Sequence, residues 1–222
     1  MKKRTNTRKS GLGLCSGLVR WCMLLVVVLA GFSTNMNAGT PTYPFPQNYK
    51  YPYGQIYTGS DVKDKIQSLY NAWKTTYYAP GTMTGGSKSG QPAARIKFQQ
   101  PGQDGSLTVS EGIGYGMLIT VYMDNASNNT QDMFDRLWTY YLGNTNGNGL
   151  MNWKVNGFTG QVASGNGNAN GATDADIDVA NALLMADKQW GSTGKIDYLS
   201  AAQKLINNIY TFEVDGNKLL KP

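Results

Sequence analysis

The 222-residue chain contains no histidine, and its two cysteines, Cys15 and Cys22, both lie near the N-terminus. Catalysis by a Ser-His-Asp triad or a Cys-His pair is therefore excluded. Zinc sites of the usual kind are excluded as well, because they are built from histidine and cysteine. Carboxylates, tyrosines, lysines or a borrowed cofactor would have to carry any catalysis. We predict no metal ion and no cofactor.

The first 38 residues are typical of an export signal. Six basic residues come first: Lys2, Lys3, Arg4, Arg8, Lys9 and Arg20. An apolar run over residues 22–32 follows, and Ala38 offers a small residue for cleavage. A membrane anchor is the alternative, but this run is shorter than the roughly 20 residues that span a bilayer. We predict a signal peptide over residues 1–38 and a secreted, extracellular protein.

The positive charge of the chain belongs to this leader. Of 20 Lys and Arg residues six lie within it, whereas all 14 Asp and Glu residues lie after it. The remaining chain has balanced charges, so the pI of 9.2 does not indicate nucleic-acid binding. We predict no nucleic-acid partner, no membrane contact after signal cleavage, and a monomer.

Apolar residues recur at helical spacing in five segments that long polar loops separate. The first predicted helix begins at Ser60 and has an apolar stripe of Val62, Ile66, Leu69, Trp73 and Tyr77. The second begins at Ser110, and the other three span residues 130–142, 173–190 and 198–212. In the last of these the predicted stripe is Leu199, Ala202, Ile206 and Ile209. Residues 42–57 are predicted to form an extended arm, and residues 79–107 and 143–171 to form loops. Alternation typical of strands is scarce, so we predict an all-α domain.

Glu111, one of two glutamates, opens a run of alternating glycines. We expect Ser110 to cap the helix, which places Glu111 at the helix start. A purely structural role is the alternative, because an acidic residue there interacts favourably with the helix dipole by about 0.3 to 1 kcal/mol. Gly112 and Gly116 lie four residues apart, which favours close packing against a neighbouring helix over phosphate binding.

Three aspartates, Asp174, Asp176 and Asp178, alternate at the start of the fourth helix. On a helix Asp174 and Asp178 share a face, whereas Asp176 points elsewhere. A calcium loop is disfavoured, because Val179 and Met185 stand where an EF-hand needs glycine and glutamate.

Aromatic residues accompany these carboxylates. Trp153 lies in a loop rich in glycine and asparagine, and Tyr115 follows Glu111 by four residues. Exposed aromatic rings can stack on sugars, although a loop tryptophan can equally plug the core. Two separate carboxylate positions, loop aromatics and an export signal together favour glycoside hydrolysis, which needs an acid and a second carboxylate across the sugar ring.

Two segments carry a resemblance to a known family: SEGIGYGM over residues 110–117 and ATDADIDVANALLMADKQW over residues 172–190. They resemble glycoside hydrolase family 8, which contains bacterial endoglucanases, xylanases and chitosanases. The resemblance covers roughly residues 45–222 and departs from the family at Val179, where Ile or Met is usual. It implies an (α/α)6 barrel of paired helices and cleavage with inversion.

The resemblance also implies roles for individual residues. Glu111 matches the general acid, and Asp174 matches the cleft aspartate that holds the distorted sugar and positions water. Trp153 matches a sugar platform. We predict Tyr115 and Asp176 as further substrate-binding residues.

A complete family barrel has twelve helices, whereas five are predicted here. We therefore expect residues 39–222 to be the N-terminal part of a truncated catalytic domain, without the general base and inactive alone. The predicted substrate is β-1,4-glucan, such as cellulose. Chitosan or xylan, a non-catalytic carbohydrate-binding protein and a helical scaffold are the alternatives.

Overall fold

The computed structural model describes residues 40–47, 59, 61–98 and 105–221. The predicted signal peptide and residues 48–57 of the predicted arm lie outside these ranges. The helices are α1 (Val62–Tyr77), α2 (Ser110–Tyr122), α3 (Gln131–Gly143), α4 (Thr173–Trp190) and α5 (Tyr198–Phe212). The strands are β1 (Tyr78–Thr82), β2 (Pro92–Ile96), β3 (Leu107–Val109), β4 (Lys154–Asn156) and β5 (Gln161–Val162). Within the described ranges, no helix is both long and apolar enough to cross a membrane.

Helices α2 and α4 lie side by side and run in the same direction. Near their starts, a Cβ atom on Gly114 would lie only 3.0 Å from Asp178 Cβ and 3.2 Å from the Ala175 carbonyl oxygen. Near their ends, Gln189 Nε2 donates to the Val121 carbonyl oxygen at 3.1 Å. The absence of a side chain at Gly114 therefore lets the two helix starts approach closely.

Two further helices flank this pair. Helix α3 packs against α2 and β2, and α5 packs against α4. The predicted apolar stripe of α4 is confirmed, since Val179, Leu183 and Ala186 are fully buried. The predicted bounds of α4 and α5 also agree with the structure.

The stripes predicted for α1 and α5 are only partly correct. Leu69 of α1 is 70% exposed and Ile206 of α5 is 42% exposed, whereas Tyr70 and Leu205 beside them are buried. Both helices carry apolar residues on more than one face. The sequence pattern identifies such faces but does not tell which of them a neighbouring element covers.

Two small antiparallel sheets lie in the segments that were predicted to be loops. Strands β1 and β2 form a hairpin in which Tyr78 pairs with Ile96, and β3, β4 and β5 form the second sheet. Strands this short leave little alternation in the sequence. The structure is nevertheless mostly helical, as predicted.

The glycines of α2 lie against a strand as well as against neighbouring helices. A Cβ atom on Gly116 would lie 2.8 Å from Ile96 Cγ1, and one on Gly112 would lie 3.5 Å from Ile96 Cβ. Both glycines thus accommodate strand β2. Gly116 also lies against α3, since its Cβ atom would be 3.2 Å from Leu137 Cδ1, so the predicted packing against a neighbouring helix is confirmed for Gly116. Gly114 adds the contact with α4.

The predicted capping by Ser110 is also not observed. Ser110 is the first helical residue, Val109 precedes it at the N-cap, and no side-chain cap is formed. Thr130 occupies the N-cap position of α3, but its side chain forms no cap bond either. Its hydroxyl donates to the Thr120 carbonyl oxygen at 2.5 Å, so it joins α3 to α2.

The described part of the predicted arm packs against the C-terminal ends of α2 and α4, called the far end below. The Phe45 amide donates to the Asp124 carbonyl oxygen at 2.7 Å, and the Thr42 amide donates to the Gln189 carbonyl oxygen at 3.0 Å. Packing of the arm is therefore confirmed for residues 42–47.

Candidate active site

The backbone of Trp153 connects the starts of α2 and α4. Its amide donates to the Asn170 carbonyl oxygen at 2.7 Å, three residues before α4 begins. Its carbonyl oxygen accepts from the Ser110 amide at 2.9 Å. The loop that holds Trp153 is thus fixed between the two helix starts where the predicted catalytic carboxylates lie.

Glu111 lies half-buried in the first turn of α2. The Trp153 indole N–H donates to Glu111 Oε1 at 2.9 Å, and the Ser110 hydroxyl lies 3.4 Å from Oε2. The two carboxylate oxygens therefore have different partners.

Asp174 is exposed in the first turn of α4, and Asp178 lies one turn further along. Burial raises the pKa of Asp178, and the negative charge of Asp174 raises it further. The prediction that these two aspartates share a face is confirmed. Since Asp178 Cβ lies against Gly114, this face borders α2.

Tyr115 is 54% exposed and follows Glu111 by one helical turn. Residues four apart lie on the same side of a helix, so Tyr115 shares the side of α2 that carries Glu111. Trp153 is half-buried, and the Lys154 ammonium group lies 5.7 Å from the centroid of its ring. The structure thus brings Glu111, Tyr115, Trp153 and Asp174 to one end of the α2–α4 pair.

Asp176 is not part of this group, although it was predicted to bind substrate. It is fully buried, and the Tyr141 hydroxyl donates to its Oδ1. The reason is helical geometry: a residue two positions after Asp174 points roughly 200° away from it. In this arrangement a sugar at the exposed helix starts cannot contact Asp176.

Asp176 instead contacts Glu213, which the sequence analysis did not single out. The two carboxyl groups lie side by side, and Asp176 Oδ2 and Glu213 Oε2 are both buried without a hydrogen-bond partner among the described residues. Burial raises the pKa of both residues, and the charge of Asp176 raises that of Glu213 further. Since 37 residues separate the two in the chain, no local pattern could have linked them.

The glycine before α4 makes room for this carboxyl pair. A Cβ atom on Gly171 would lie 2.6 Å from Glu213 Oε1 and 3.0 Å from Asp176 Oδ2. A polar cavity of about 200 Å³ adjoins the pair and is lined by Asn146, Asn170 and Lys221, among others.

A larger, apolar cavity of about 570 Å³ lies at the opposite end of the α2–α4 pair. It is lined by Val121, Tyr122, Leu184 and Leu199, together with Tyr43 of the arm. The cavity is therefore separate from the end that holds Glu111 and Asp174. Within the described ranges, no three His, Cys, Asp or Glu side chains converge in a way that could hold a metal ion.

Comparison with known proteins identifies the family. The family model described as "Glycosyl hydrolases family 8" matches residues 44–222. Endoglucanase A of Acetivibrio thermocellus is 38% identical over 205 residues, which cover 90% of this chain and 40% of that protein. A β-glucanase of Niallia circulans is 35% identical over 203 residues, which cover 89% of this chain and 45% of that protein. The chain belongs to glycosyl hydrolase family 8.

Solved structures support the same assignment. The structure of a β-1,3-1,4-glucanase from Paenibacillus sp. X4 is 36% identical and superposes with a TM-score of 0.67, covering 80% of this chain and 44% of that one. A cold-adapted family 8 xylanase shares the fold at 23% identity and a TM-score of 0.56. The fold of the family is an (α/α)6 barrel, and this chain covers part of it. The chain spans less than half the length of the relatives it matches.

Proposed function

We propose that this chain forms part of a secreted endo-acting hydrolase that cleaves β-1,4-glucan with inversion of configuration. The observation that carries the proposal is the gathering of Glu111, Asp174, Trp153 and Tyr115 at one end of two packed parallel helices. Family membership supports the reaction class. Secretion is proposed from the basic and apolar leader over residues 1–38.

In the proposed mechanism Glu111 is the general acid. Its carboxyl proton passes to the glycosidic oxygen as the bond between that oxygen and the anomeric carbon breaks. Water attacks the anomeric carbon from the opposite face and gives a proton to a base, which yields the inverted product. Asp174 holds the distorted sugar ring and orients this water.

The aromatic side chains supply the proposed sugar-binding surface. Tyr115 carries its exposed ring beside Glu111 and can stack on the apolar face of a glucose unit. The proposed base is assigned to none of the described residues. Hydrolysis is therefore proposed for the whole protein and not for residues 1–222 alone.

Mixed-linkage β-1,3-1,4-glucan is the second candidate substrate. The relative with the TM-score of 0.67 is named for that activity, and a β-glucanase is among the similar sequences. Chitosan is less favoured, because the loop over residues 143–171 lacks the carboxylates that would bind its amines. Xylan and non-catalytic carbohydrate binding complete the alternatives.

The test is a comparison of substrates and variants in the whole protein. Release of reducing ends is measured on carboxymethyl-cellulose, mixed-linkage glucan, xylan and chitosan. We expect the glucans to be cleaved fastest. Glu111→Gln is expected to lower kcat at least about 100-fold, because the glutamine amide cannot act as a general acid.

Asp174→Asn is expected to cause a comparable loss, and Asp64→Asn is the matched control. Asp64 is exposed in the first turn of α1, so its replacement should leave activity unchanged. A Glu111→Gln protein that retains full activity would overturn the proposal. Full binding of cellulose without hydrolysis by the wild-type protein would indicate a binding module instead.

A further inference from the structure

The side chain of Trp153 is held from several directions. Its backbone bonds both helix starts, its indole N–H donates to Glu111 Oε1 at 2.9 Å, and the Lys154 ammonium group lies 5.7 Å from the ring centroid. A cation at this distance interacts favourably with the ring. The hydrogen bond and the contact with the ammonium group both stabilise the orientation of the ring in which the indole N–H points at Glu111.

From this geometry we propose that Trp153 is a positioning residue that orients the Glu111 carboxyl group through its indole N–H. The inference rests on the proposed function. It differs from a platform role, in which the ring face would contribute to binding a sugar. With Oε1 engaged by the indole, Oε2 is the oxygen left to carry the proton and face the glycosidic oxygen. The Ser110 hydroxyl, 3.4 Å from Oε2, contributes little to this orientation, because the distance is long for a hydrogen bond.

Misorientation of an acid affects the chemical step more than substrate binding. A group that acts only in the transition state lowers kcat when it is lost and leaves KM nearly unchanged. The loss should also depend on the leaving group. A poor leaving group, such as a sugar hydroxyl, needs protonation, whereas a strongly activated phenol can leave without it.

The decisive variant is Trp153→Phe in the whole protein. Phenylalanine keeps an aromatic ring but has no N–H donor. We expect kcat on β-glucan to fall about tenfold and KM to change less than about twofold. On a dinitrophenyl β-cellobioside, the decrease in kcat should be several times smaller than on β-glucan. The Glu111→Gln variant should show the same difference between the two substrates.

The matched control is Trp190→Phe. Trp190 makes the same kind of bond, from its indole N–H to Asp124 Oδ2 at 2.7 Å, at the opposite end of the α2–α4 pair. This variant is expected to melt at a lower temperature and to keep its kcat and its dependence on the leaving group. An equal loss of kcat in both variants would attribute the effect to stability and overturn the inference.

A spectroscopic measurement tests the bond without replacing Trp153. In the protein with ¹⁵N-labelled tryptophan, the Trp153 indole proton should move upfield in Glu111→Gln, because a carboxylate is a stronger acceptor than an amide. The Trp190 indole signal should stay in place. An unmoved Trp153 signal would overturn the inference, and so would a Trp153→Phe protein with raised KM and unchanged kcat. Failure of the proposed function itself would appear as activity that survives Glu111→Gln.

Discussion

The two ends of the α2–α4 pair use the same chemical groups in opposite ways. At the far end the Trp190 indole N–H and the Thr130 amide both donate to Asp124, at 2.7 Å each, and Asp124 is only 2% exposed. At the near end the Trp153 indole N–H donates to Glu111, which is half-buried. One indole–carboxylate bond lies inside a closed network, and the other lies where solvent and ligand have access.

This difference teaches how one pair of helices can combine stability with function. At the far end both oxygens of the Asp124 carboxylate accept hydrogen bonds inside the protein, from Thr130 at the N-cap of α3 and from Trp190 of α4. The apolar cavity of about 570 Å³ at this end is lined by other side chains. At the near end Glu111 is half-buried, Asp174 is exposed, and the ring of Tyr115 is exposed as well. Buried polar groups that are fully hydrogen-bonded stabilise a fold, whereas partly satisfied groups in a cleft are typical of functional sites.

The largest effect is expected from removing the hydrogen-bond network of Asp124 at the far end. Asp124→Ala would leave the Thr130 amide and the Trp190 indole N–H without their acceptor in a buried site. A hydrogen bond to a charged acceptor contributes about 1.5 to 3 kcal/mol. Because two such bonds are lost, we expect the free energy of unfolding to fall by about 3 kcal/mol or more. Denaturant unfolding of the whole protein measures this change.

The control is Asp132→Ala on the surface of α3. Asp132 pairs with Arg136 at 2.6 Å in an exposed i,i+4 salt bridge, which contributes only about 0.3 to 0.5 kcal/mol. Equal destabilisation by the two replacements would show that the Asp124 network does not stabilise the fold.

A smaller effect is expected where α2 and α4 meet. Gly114→Ala would place a methyl group 3.0 Å from Asp178 Cβ and 3.2 Å from the Ala175 carbonyl oxygen. Overpacking of this kind costs about 1 to 3 kcal/mol, and the better helix propensity of alanine offsets up to about 1 kcal/mol. Because the helix starts must separate, we expect kcat to fall as well.

Gly112→Ala in the same helix provides the matched comparison. A methyl group there would lie 3.5 Å from Ile96 Cβ, an ordinary contact. Stability should stay equal or rise, and activity should be retained. If kcat falls by the same factor in both variants, the spacing of the helix starts does not control activity.

The smallest effect concerns the buried pair of Asp176 and Glu213. Their pKa values are raised by burial, so above pH about 4 the native protein binds more protons than the unfolded chain. Stability is therefore expected to decrease as pH rises through the raised pKa values. Asp174 adds a further negative charge that raises the pKa of Glu213.

Glu213→Gln should flatten this dependence, because the amide supplies a permanent donor to Asp176. The melting temperature, followed from about pH 5 to pH 9, should decline less in the variant than in the wild-type protein. Asp64→Asn should retain the wild-type slope. An unchanged slope in Glu213→Gln would mean that the pair does not hold a proton in this range.

The sequence predicted the elements with strong periodicity and missed the contacts made over long separations. The bounds of α4 were predictable, because Val179, Leu183 and Ala186 repeat on one face. The same periodicity places Asp174 and Asp176 on different sides of α4. The prediction that Asp176 binds substrate did not take this into account. The bond between Trp153 and Glu111 was not predictable, since the two residues are 42 positions apart and most of α2, all of α3 and a loop rich in Gly and Asn lie between them.

The backbone bonds of Trp153 have a consequence for redesign. The Trp153 amide donates to the Asn170 carbonyl oxygen, and the Trp153 carbonyl oxygen accepts from the Ser110 amide. Both bonds are formed by the backbone, so they do not depend on which side chain residue 153 carries. Exchanging that side chain leaves the two helix starts tied together. A substitution at position 153 can therefore change how the Glu111 carboxyl group is held without breaking the backbone bonds between the two helix starts.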